Sequence, residues 1–185
     1  MKTEISNLEM TELKIAGLKL IKPRIFRDER GYFLESFRQD FYQALGLPAF
    51  IQDNHAFSSK NTLRGMHFQK DIGQDKLVSV VKGEIFDVVV DIRKESNTFG
   101  KWAGFILDDI KCHQLFIPKG FAHGFCVISE DAHVCYKVSN YFQLDLEVGF
   151  NCLDKIVNIS WPTKSPIFSL RDLETNSFEE AKKWF

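Results

Sequence analysis

Two of the five histidines lie where a glycine-bearing turn meets an apolar run, a placement that suits acid–base chemistry. His67 lies in L-R-G-M-H-F-Q (63–69), and His123 lies in I-P-K-G-F-A-H-G-F (117–125). Functional residues are often held in such places on a rigid scaffold. A histidine titrates near neutrality, so it can remove a proton at physiological pH. A phenol such as that of Tyr136 can return a proton, and an ammonium such as that of Lys76 can stabilise an oxyanion.

A metal site is the main alternative for these histidines. A catalytic metal requires about three converging histidine or carboxylate ligands. Residue 69, two positions after His67, is a glutamine, and the nearest downstream acids are Asp71 and Asp75. His67 and His123 alone supply too few ligands, so the sequence predicts no metal. A surface or hydrogen-bonded core histidine is the remaining non-functional interpretation of each.

Several cations accompany the histidines and suggest an anionic ligand. Arginine offers a planar fork that grips phosphate in two places. Arg30 and Arg64 each precede a glycine, and Arg171 lies near the end of the chain. The sequence contains neither G-x-x-x-x-G-K-[ST] nor G-x-G-x-x-G, so it has no P-loop or dinucleotide fingerprint. It also lacks the G-x-S-x-G elbow of serine hydrolases.

The composition is that of an ordinary globular chain. Its 185 residues carry a formal net charge of −1, with 44% hydrophobic and 26% charged residues, which predicts one domain over residues 1–185 and no nucleic-acid partner. The four cysteines form no C-x-x-C pair, so we expect free thiols. The N-terminus lacks a signal peptide, and no apolar run approaches the ~20 residues of a membrane span. We therefore expect a cytoplasmic protein with no membrane partner.

The spacing of apolar runs predicts a mainly β fold. Phenylalanine is unusually frequent, at 18 residues, and aromatic residues favour strands. Residues 1–12 are interpreted as a polar arm, 28–31 as a turn and 38–46 as a helix with Phe41, Ala44 and Leu45 on one face. A short helix is predicted in 177–185. Short runs at regular spacing indicate an antiparallel β-sandwich or jelly roll with a few short peripheral helices; these runs are 18–26, 50–59, 62–69, 76–83, 84–92, 101–107, 112–118, 123–128 and 133–142.

Long segments in a fixed order give a further, more specific indication. The chain resembles the dTDP-4-dehydrorhamnose 3,5-epimerase family, which are cofactor-free nucleotide-sugar epimerases of the cupin class. The resemblance covers about residues 18–175. The segments that carry it are F-R-D-E-R-G-Y-F-L-E-S-F (26–37), Q-D-N-H (52–55), S-S-K-N-T-L-R-G-M-H-F-Q (58–69), K-L-V (76–78), G-E-I-F-D-V-V-V-D-I-R-K-E-S-N-T-F-G-K-W (83–102), Q-L-F-I-P-K-G-F-A-H-G-F (114–125) and Y-K-V-S-N-Y-F (136–142).

The resemblance implies a role for each candidate residue. His67 resembles the general base and Asp172 its orienting carboxylate, as in other His–Asp pairs. Tyr136 resembles the proton donor on the opposite face of the sugar, and Lys76 the group that stabilises the enolate. The positions that match nucleotide-sugar-binding residues are Arg30, Glu35, Gln52, Asn54, Arg64, His123, Phe142, Glu147 and Arg171.

The implied reaction inverts C3 and C5 of a dTDP-linked 4-keto-6-deoxyglucose through an enolate, with no cofactor and no metal. The resemblance also implies a homodimer in which an N-terminal segment can complete the partner's site. The sequence departs from the family pattern at three places, which together comprise four residues: Phe142 replaces a tyrosine, Cys152-Leu153 replaces Trp-Asn, and Arg171 replaces a lysine. The alternatives are therefore inversion at C3 or C5 alone, another nucleotide-linked sugar, or a non-catalytic binder of sugar nucleotides.

Overall fold

The computed structural model describes residues 2–15 and 17–185, and short antiparallel strands dominate its regular structure. Three short helices, α1 (Gln39–Ala44), α2 (Leu170–Leu173) and α3 (Phe178–Ala181), and two 3₁₀ turns (Leu144–Leu146 and Lys182–Trp184) accompany them. The strands are β1 (Lys2–Ile5), β2 (Leu8–Glu12), β3 (Lys19–Pro23), β4 (Phe26–Asp28), β5 (Gly31–Phe33), β6 (Gln52–Ser59), β7 (Leu63–Gln69), β8 (Lys76–Lys82), β9 (Glu84–Asp91), β10 (Trp102–Asp108), β11 (Gln114–Ile117), β12 (Phe121–Val127), β13 (Asp131–Val138) and β14 (Glu147–Gly149).

Two sheets face each other. The larger has the strand order β1-β2-β3-β11-β8-β13-β6, and the smaller has the order β10-β9-β12-β7-β14. The prediction of an antiparallel β-sandwich with a few short helices is confirmed. The strand predicted over 133–142 ends at Val138, which leaves Phe142 in the following loop. Likewise, the run 18–26 divides into β3 and the start of a separate hairpin.

The core between the sheets is built from alternate residues of the central strands. Val78 and Val80 of β8, Val134 of β13 and Val89 of β9 all belong to one buried cluster. The pleat places residues i and i+2 on the same face. Consequently, residues two positions from these valines also project between the sheets, and a polar side chain there lies in the interior.

The outer face of the smaller sheet is covered by the C-terminal segment. Phe178 and Phe185 contact Phe150 with ring centroids 5.1 and 6.3 Å apart. Strand β9 is therefore buried on both faces, since Val88 and Val90 lie in this second cluster while Val89 faces the first. The predicted C-terminal helix is confirmed in 177–185, where Ser177 and Glu180 form a capping box.

The N-terminal segment is not a polar arm. Within the described part of 1–12, which excludes Met1, β1 and β2 pair with each other and β2 pairs with β3. Leu8 and Met10 are 3% and 5% exposed in a third cluster beneath α1. The prediction was wrong because the acidic residues alternate with apolar ones, and in a strand that alternation buries one face.

Helix α1 lies within the predicted 38–46, and of the three residues predicted to share one face, Leu45 is buried and Phe41 packs against the third cluster. Tyr42 is fully buried, and its hydroxyl lies 2.5 Å from Oε1 of Gln114 in the larger sheet. Ala44, predicted to face the core, is exposed. The helix is under two turns long, and Tyr42, which the sequence analysis did not assign to the packed face, joins Phe41 and Leu45 in the third cluster.

The predicted turn at 28–31 is confirmed as the tip of a hairpin formed by β4 and β5. The backbone N–H of Arg30 donates to Oδ1 of Asp28 at 2.9 Å, and Gly31 adopts a φ of +129°. This two-stranded sheet is separate from the two large sheets. Its aromatic side chains are exposed, with Phe33 at 69%.

Candidate active site

A cavity of about 240 Å³ opens between the two sheets. It brings together all four residues predicted to be catalytic and four of the nine predicted to bind substrate. These eight residues are Arg64, His67, Lys76, His123, Tyr136, Glu147, Arg171 and Asp172.

His67 and Asp172 form a hydrogen-bonded pair in this cavity. Nε2 of His67 lies 2.6 Å from Oδ1 of Asp172, whose other oxygen accepts a 2.8 Å bond from the hydroxyl of Ser169. Ser169 also caps α2, since its Oγ accepts from the backbone N–H of Asp172. Burial alone would raise the pKa of Asp172, but the bonds from His67 and Ser169 bring that pKa below its usual value. The carboxylate is therefore held ionised beside an imidazole.

Lys76 is a buried cation without a fixed partner. It is 9% exposed, and its ammonium makes no hydrogen bond or ion pair with any residue in 2–15 or 17–185. Burial lowers the pKa of Lys76 to about 8, against the opposing influence of Glu147 and Asp87. An ammonium held this way can interact with a negative charge that forms on a ligand.

Tyr136 faces His67 from the other sheet. Strand β13, which carries Tyr136, lies in the larger sheet, whereas β7, which carries His67, lies in the smaller one. A ligand between the sheets therefore has the imidazole on one side and the phenol on the other. Burial and the nearby Glu147 raise the pKa of Tyr136, so the phenol keeps its proton at neutral pH.

Arg64 and Arg171 bring positive charge to the same cavity. Arg171 pairs with Oε2 of Glu147 at 2.5 Å, and Nε of Arg64 donates to the hydroxyl of Ser58 at 3.0 Å. Both guanidinium groups keep further N–H donors available. The arrangement suits a ligand with an anionic group.

A β-bulge places both Arg64 and His67 in the cavity. Residues three apart on a regular strand point to opposite faces. Against β12, however, His123 is paired with His67 and Phe125 with Arg64, so β7 carries one extra residue between these pairs. Gly65 and Gly124 meet at this point, where a Cβ on Gly65 would lie 2.6 Å from the Cα of Gly124. The bulge therefore turns two polar side chains inward from one strand.

Asp87, which the sequence analysis did not select, contacts a residue that lines the cavity. It is fully buried on the inner face of β9, and its Oδ2 lies 2.8 Å from Nε2 of His123. The signal was present, because Asp87 is the charge that interrupts the apolar run 85–92. A buried carboxylate in a central strand requires a partner.

Three of the remaining predicted residues continue the inner face beside the cavity. Gln52 and Asn54 precede Ala56 at two-residue spacing on β6, and Ala56 lines the cavity. Nε2 of Gln52 donates to Asn54 at 2.9 Å, and Oε1 of Gln52 accepts from the backbone N–H of Phe142 at 2.9 Å. Asn54 is the cross-strand neighbour of Tyr136. These residues form a polar margin with one aromatic ring.

Arg30 and Glu35 are not brought to this cavity. Arg30 lies at the tip of the β4–β5 hairpin with its side chain 86% exposed, and it pairs with Asp28 at 2.5 Å. Glu35 lies between that hairpin and α1, with a 3.9 Å contact to Arg38.

Among the described residues, no group of three or more His, Cys, Asp or Glu side chains could hold a metal ion.

Comparison with known proteins decides the family. Residues 12–180 match the sequence model of dTDP-4-dehydrorhamnose 3,5-epimerase. The chain belongs to this family. The dTDP-4-dehydrorhamnose 3,5-epimerase of Shigella flexneri is 45% identical over 177 residues, which cover 94% of this chain and 98% of the relative.

Solved and characterised relatives extend the comparison. This epimerase superposes with a TM-score of 0.90 on dTDP-6-deoxy-D-glucose-3,5-epimerase of Legionella pneumophila in complex with dTDP-4-keto-L-rhamnose, at 43% identity and 93% coverage of each chain. The dTDP-4-dehydrorhamnose 3-epimerase of Streptomyces niveus is 38% identical, over 95% of this chain and 86% of the relative. The expected family, the isomerase class and the fold are thus confirmed.

No helix in the described part of the chain has the length and apolarity needed to span a membrane.

Proposed function

We propose that this epimerase inverts C3 and C5 of a dTDP-linked 4-keto-6-deoxyglucose by proton abstraction and return. The observation that carries the proposal is the placement of His67 and Tyr136 on opposite sheets, with Lys76 between the sheets in the same cavity. Inversion of a stereocentre requires a base on one face of the sugar and an acid on the other. The relatives act on, or are seen bound to, sugars of this kind.

Each side chain then has one step. The C4 ketone acidifies the protons on C3 and C5, and His67 removes one while Asp172 stabilises the resulting imidazolium. The electron pair moves to O4, where the ammonium of Lys76 stabilises the enolate. Tyr136 delivers a proton to the opposite face of the same carbon. After one inversion His67 holds the abstracted proton and Tyr136 has lost one, so exchange with solvent restores both groups before the second carbon reacts.

The experiment is NMR of the protein with dTDP-4-keto-6-deoxyglucose in D₂O, without added metal or cofactor. We expect deuterium at both C3 and C5. His67→Asn is expected to reduce exchange by ~10²-fold or more, while its affinity for dTDP changes little. Binding without exchange at either carbon would favour the non-catalytic alternative, and exchange in His67→Asn at the wild-type rate would refute the assigned base.

Epimerisation at C3 alone is a second candidate, and Phe142 favours it. Its backbone is held by Gln52 at the margin of the cavity, and its ring has no hydroxyl where the family pattern has a tyrosine. One relative is itself named a 3-epimerase. If the missing hydroxyl limits the reaction to one carbon, wild type exchanges at C3 only and Phe142→Tyr gains exchange at C5. Exchange at both carbons in wild type excludes this candidate.

We further propose a homodimer in which the β4–β5 hairpin completes the partner's site. The hairpin exposes Phe26, Tyr32 and Phe33, and its tip presents Arg30 outside the cavity of its own subunit. Arg30 would then reach the diphosphate bound by the other subunit, with Glu35 following on the same segment.

The four unpaired cysteines agree with a cytoplasmic location, because thiols persist in a reducing compartment.

Mixing two inactive variants tests this arrangement. Arg30→Ala and His67→Asn, assayed separately at low substrate, should both be impaired, and their mixed dimers should contain one intact site. We expect up to about a quarter of wild-type activity after subunit exchange, because half of the dimers are mixed and each has one intact site of two. No recovery in a mixture that has exchanged subunits, or a monomeric mass in light scattering, would refute the shared site.

A further inference from the structure

A second histidine–carboxylate pair borders the cavity: His123 lines it, and Asp87 lies buried behind His123. Nε2 of His123 lies 2.8 Å from Oδ2 of Asp87, and both residues are buried, at 7% and 0% exposure. They lie on adjacent strands, β12 and β9, within the smaller sheet. The proposed mechanism uses His67 and Asp172 for proton transfer and assigns this second pair no step.

The contact with Asp87 decides which nitrogen of His123 bears a proton. An ionised carboxylate only accepts hydrogen bonds, so Nε2 must donate to it. Nδ1 of His123 makes no hydrogen bond with any residue in 2–15 or 17–185, and His123 lines the cavity. The pair therefore presents Nδ1 to a ligand.

A neutral Nδ1 does not suit a diphosphate. In the Nε2–H tautomer Nδ1 carries a lone pair, and phosphate oxygens are also acceptors, so the two repel. A second proton on His123 converts Nδ1 into a charged donor, which is the favourable partner of an anion. Asp87 stabilises the imidazolium that results, as carboxylates do in other histidine pairs.

The free oxygen of Asp87 supports the same direction. Oδ1 of Asp87 is fully buried and has no hydrogen-bond partner among the described residues. A buried carboxylate with an unpaired oxygen is unfavourable unless positive charge lies nearby. When a bound anion brings a proton to His123, the charge that forms therefore lies next to a buried carboxylate that stabilises it.

We propose that diphosphate binding is coupled to uptake of one proton by His123, and that Asp87 is the positioning residue that makes this uptake favourable. The inference rests on the proposed function in taking a nucleotide diphosphate as the ligand, and on the family resemblance in assigning His123 to ligand binding. It separates the roles of the two pairs, since His67 exchanges protons with the sugar whereas His123 takes one up to bind the anion. The other ionisable groups lining the cavity are Arg64 and His67 of β7, Lys76 of β8, Tyr136 of β13, Glu147 of β14, and Arg171 and Asp172 of α2.

Calorimetry with dTDP-glucose measures the proton directly. This ligand has no C4 ketone, so it is not turned over, and its diphosphate diester has no group that titrates near neutrality. Heats of binding at about pH 7, in two buffers of different ionisation enthalpy and without phosphate, give the number of protons taken up. We expect about 0.5–1 proton for the wild-type protein and less than about 0.2 for Asp87→Asn, with affinity reduced about tenfold or more.

Two further variants attribute the proton. His123→Gln should also abolish the uptake while Asp87 stays intact, which keeps the test decisive if Asp87→Asn folds poorly. Asp108→Asn removes another buried carboxylate, one that accepts from the backbone of Ile110 and Lys111 outside the cavity, and it should bind like wild type. In turnover, Asp87→Asn should raise KM far more than it lowers kcat.

Absence of proton uptake in the wild-type protein would overturn the inference. So would an uptake in Asp87→Asn or His123→Gln equal to that of wild type. These outcomes are independent of the epimerase assignment, because the ligand does not react. Loss of deuterium exchange with the keto sugar, in contrast, would overturn the proposed reaction and leave the binding result unchanged.

Discussion

At the scale of single residues, the site consists of polar residues at strand positions that otherwise carry apolar core side chains. Lys76 precedes Val78 and Val80 on β8, and Tyr136 follows Val134 on β13, at positions where the pleat directs each side chain inward. Burying such groups disfavours the folded state, and none is required to form the sheets. Their presence therefore reflects chemistry rather than stability.

Replacing Lys76 tests that statement. Lys76→Met shortens the side chain by one atom and removes a buried charge that has no fixed partner. We expect epimerisation to fall by ~10²-fold or more, while the free energy of unfolding at pH 7 rises by up to ~3 kcal/mol, the equivalent of the lowered pKa. Denaturant unfolding and deuterium exchange measure the two effects. A variant that is both active and no more stable would show that Lys76 is neither functional nor unfavourable.

The same lysine is expected to set an alkaline limit to the reaction. Because burial lowers the pKa of Lys76 to about 8, the ammonium loses its proton as the pH rises through that value. The neutral amine cannot stabilise an enolate, so kcat should fall above about pH 8 while the protein stays folded. Removing the proton relieves the buried charge, so stability should rise between about pH 8 and 10.5. In the Lys76→Arg variant the side chain stays charged, so its kcat should be the same at pH 8 and at pH 10.5.

At the scale of elements, the N-terminal hairpin is a structural part of the larger sheet. Met10 is 5% exposed beneath α1, while its neighbour Thr11 is half-buried. This strand continues the sheet and also supplies part of the third core cluster, which supports α1. Its acidic side chains lie on the solvent-facing side of the strand only.

Met10→Ala is therefore expected to destabilise the fold by about 2–4 kcal/mol, because it leaves a cavity in that cluster. Thr11→Ala, one position away on the other face, should change the free energy of unfolding by less than ~1 kcal/mol. Urea denaturation of both variants makes the comparison. Equal small effects would mean that the segment contributes little to the folded core.

At the scale of the whole molecule, the C-terminal segment covers the sheet that carries His67, His123 and Asp87. Phe178 contacts both Phe150 and Phe185, at 5.1 and 5.4 Å between ring centroids. Asp172 reaches His67 from α2, in the chain just before this cover. Helix α2 is joined to this cover by residues 174–177, so we expect loss of the cover's packing to loosen the helix that carries Asp172.

Phe178→Ala should destabilise the protein by about 3–5 kcal/mol, since a fully packed aromatic ring is lost. It should also lower kcat, because α2 is then less firmly held against β7. Glu179→Ala, which removes only an exposed pair with Lys182, should change stability by less than ~1 kcal/mol. Thermal unfolding and exchange assays separate the two. A stable Phe178→Ala with normal turnover would show that the cover is dispensable.

The sequence by itself determined the class of fold, since strand alternation and turn residues are local signals. It also identified His67, Lys76, Tyr136 and Asp172, although only through the resemblance of long segments to a family. Spacing alone could not select them, because Asp172 follows His67 by 105 residues. The geometry of this pair is a contact between two elements distant in the chain.

Only the tertiary structure decided which residues meet. The bulge in β7 turns Arg64 and His67 to one face, contrary to strand periodicity, because Gly65 and Gly124 allow the two backbones to approach closely. Asp87 appeared in the sequence only as an interruption of an apolar run, and its partner His123 became evident when β9 and β12 paired. Local patterns record which face of an element is apolar, whereas a site depends on which faces are brought together, and long-range packing determines that.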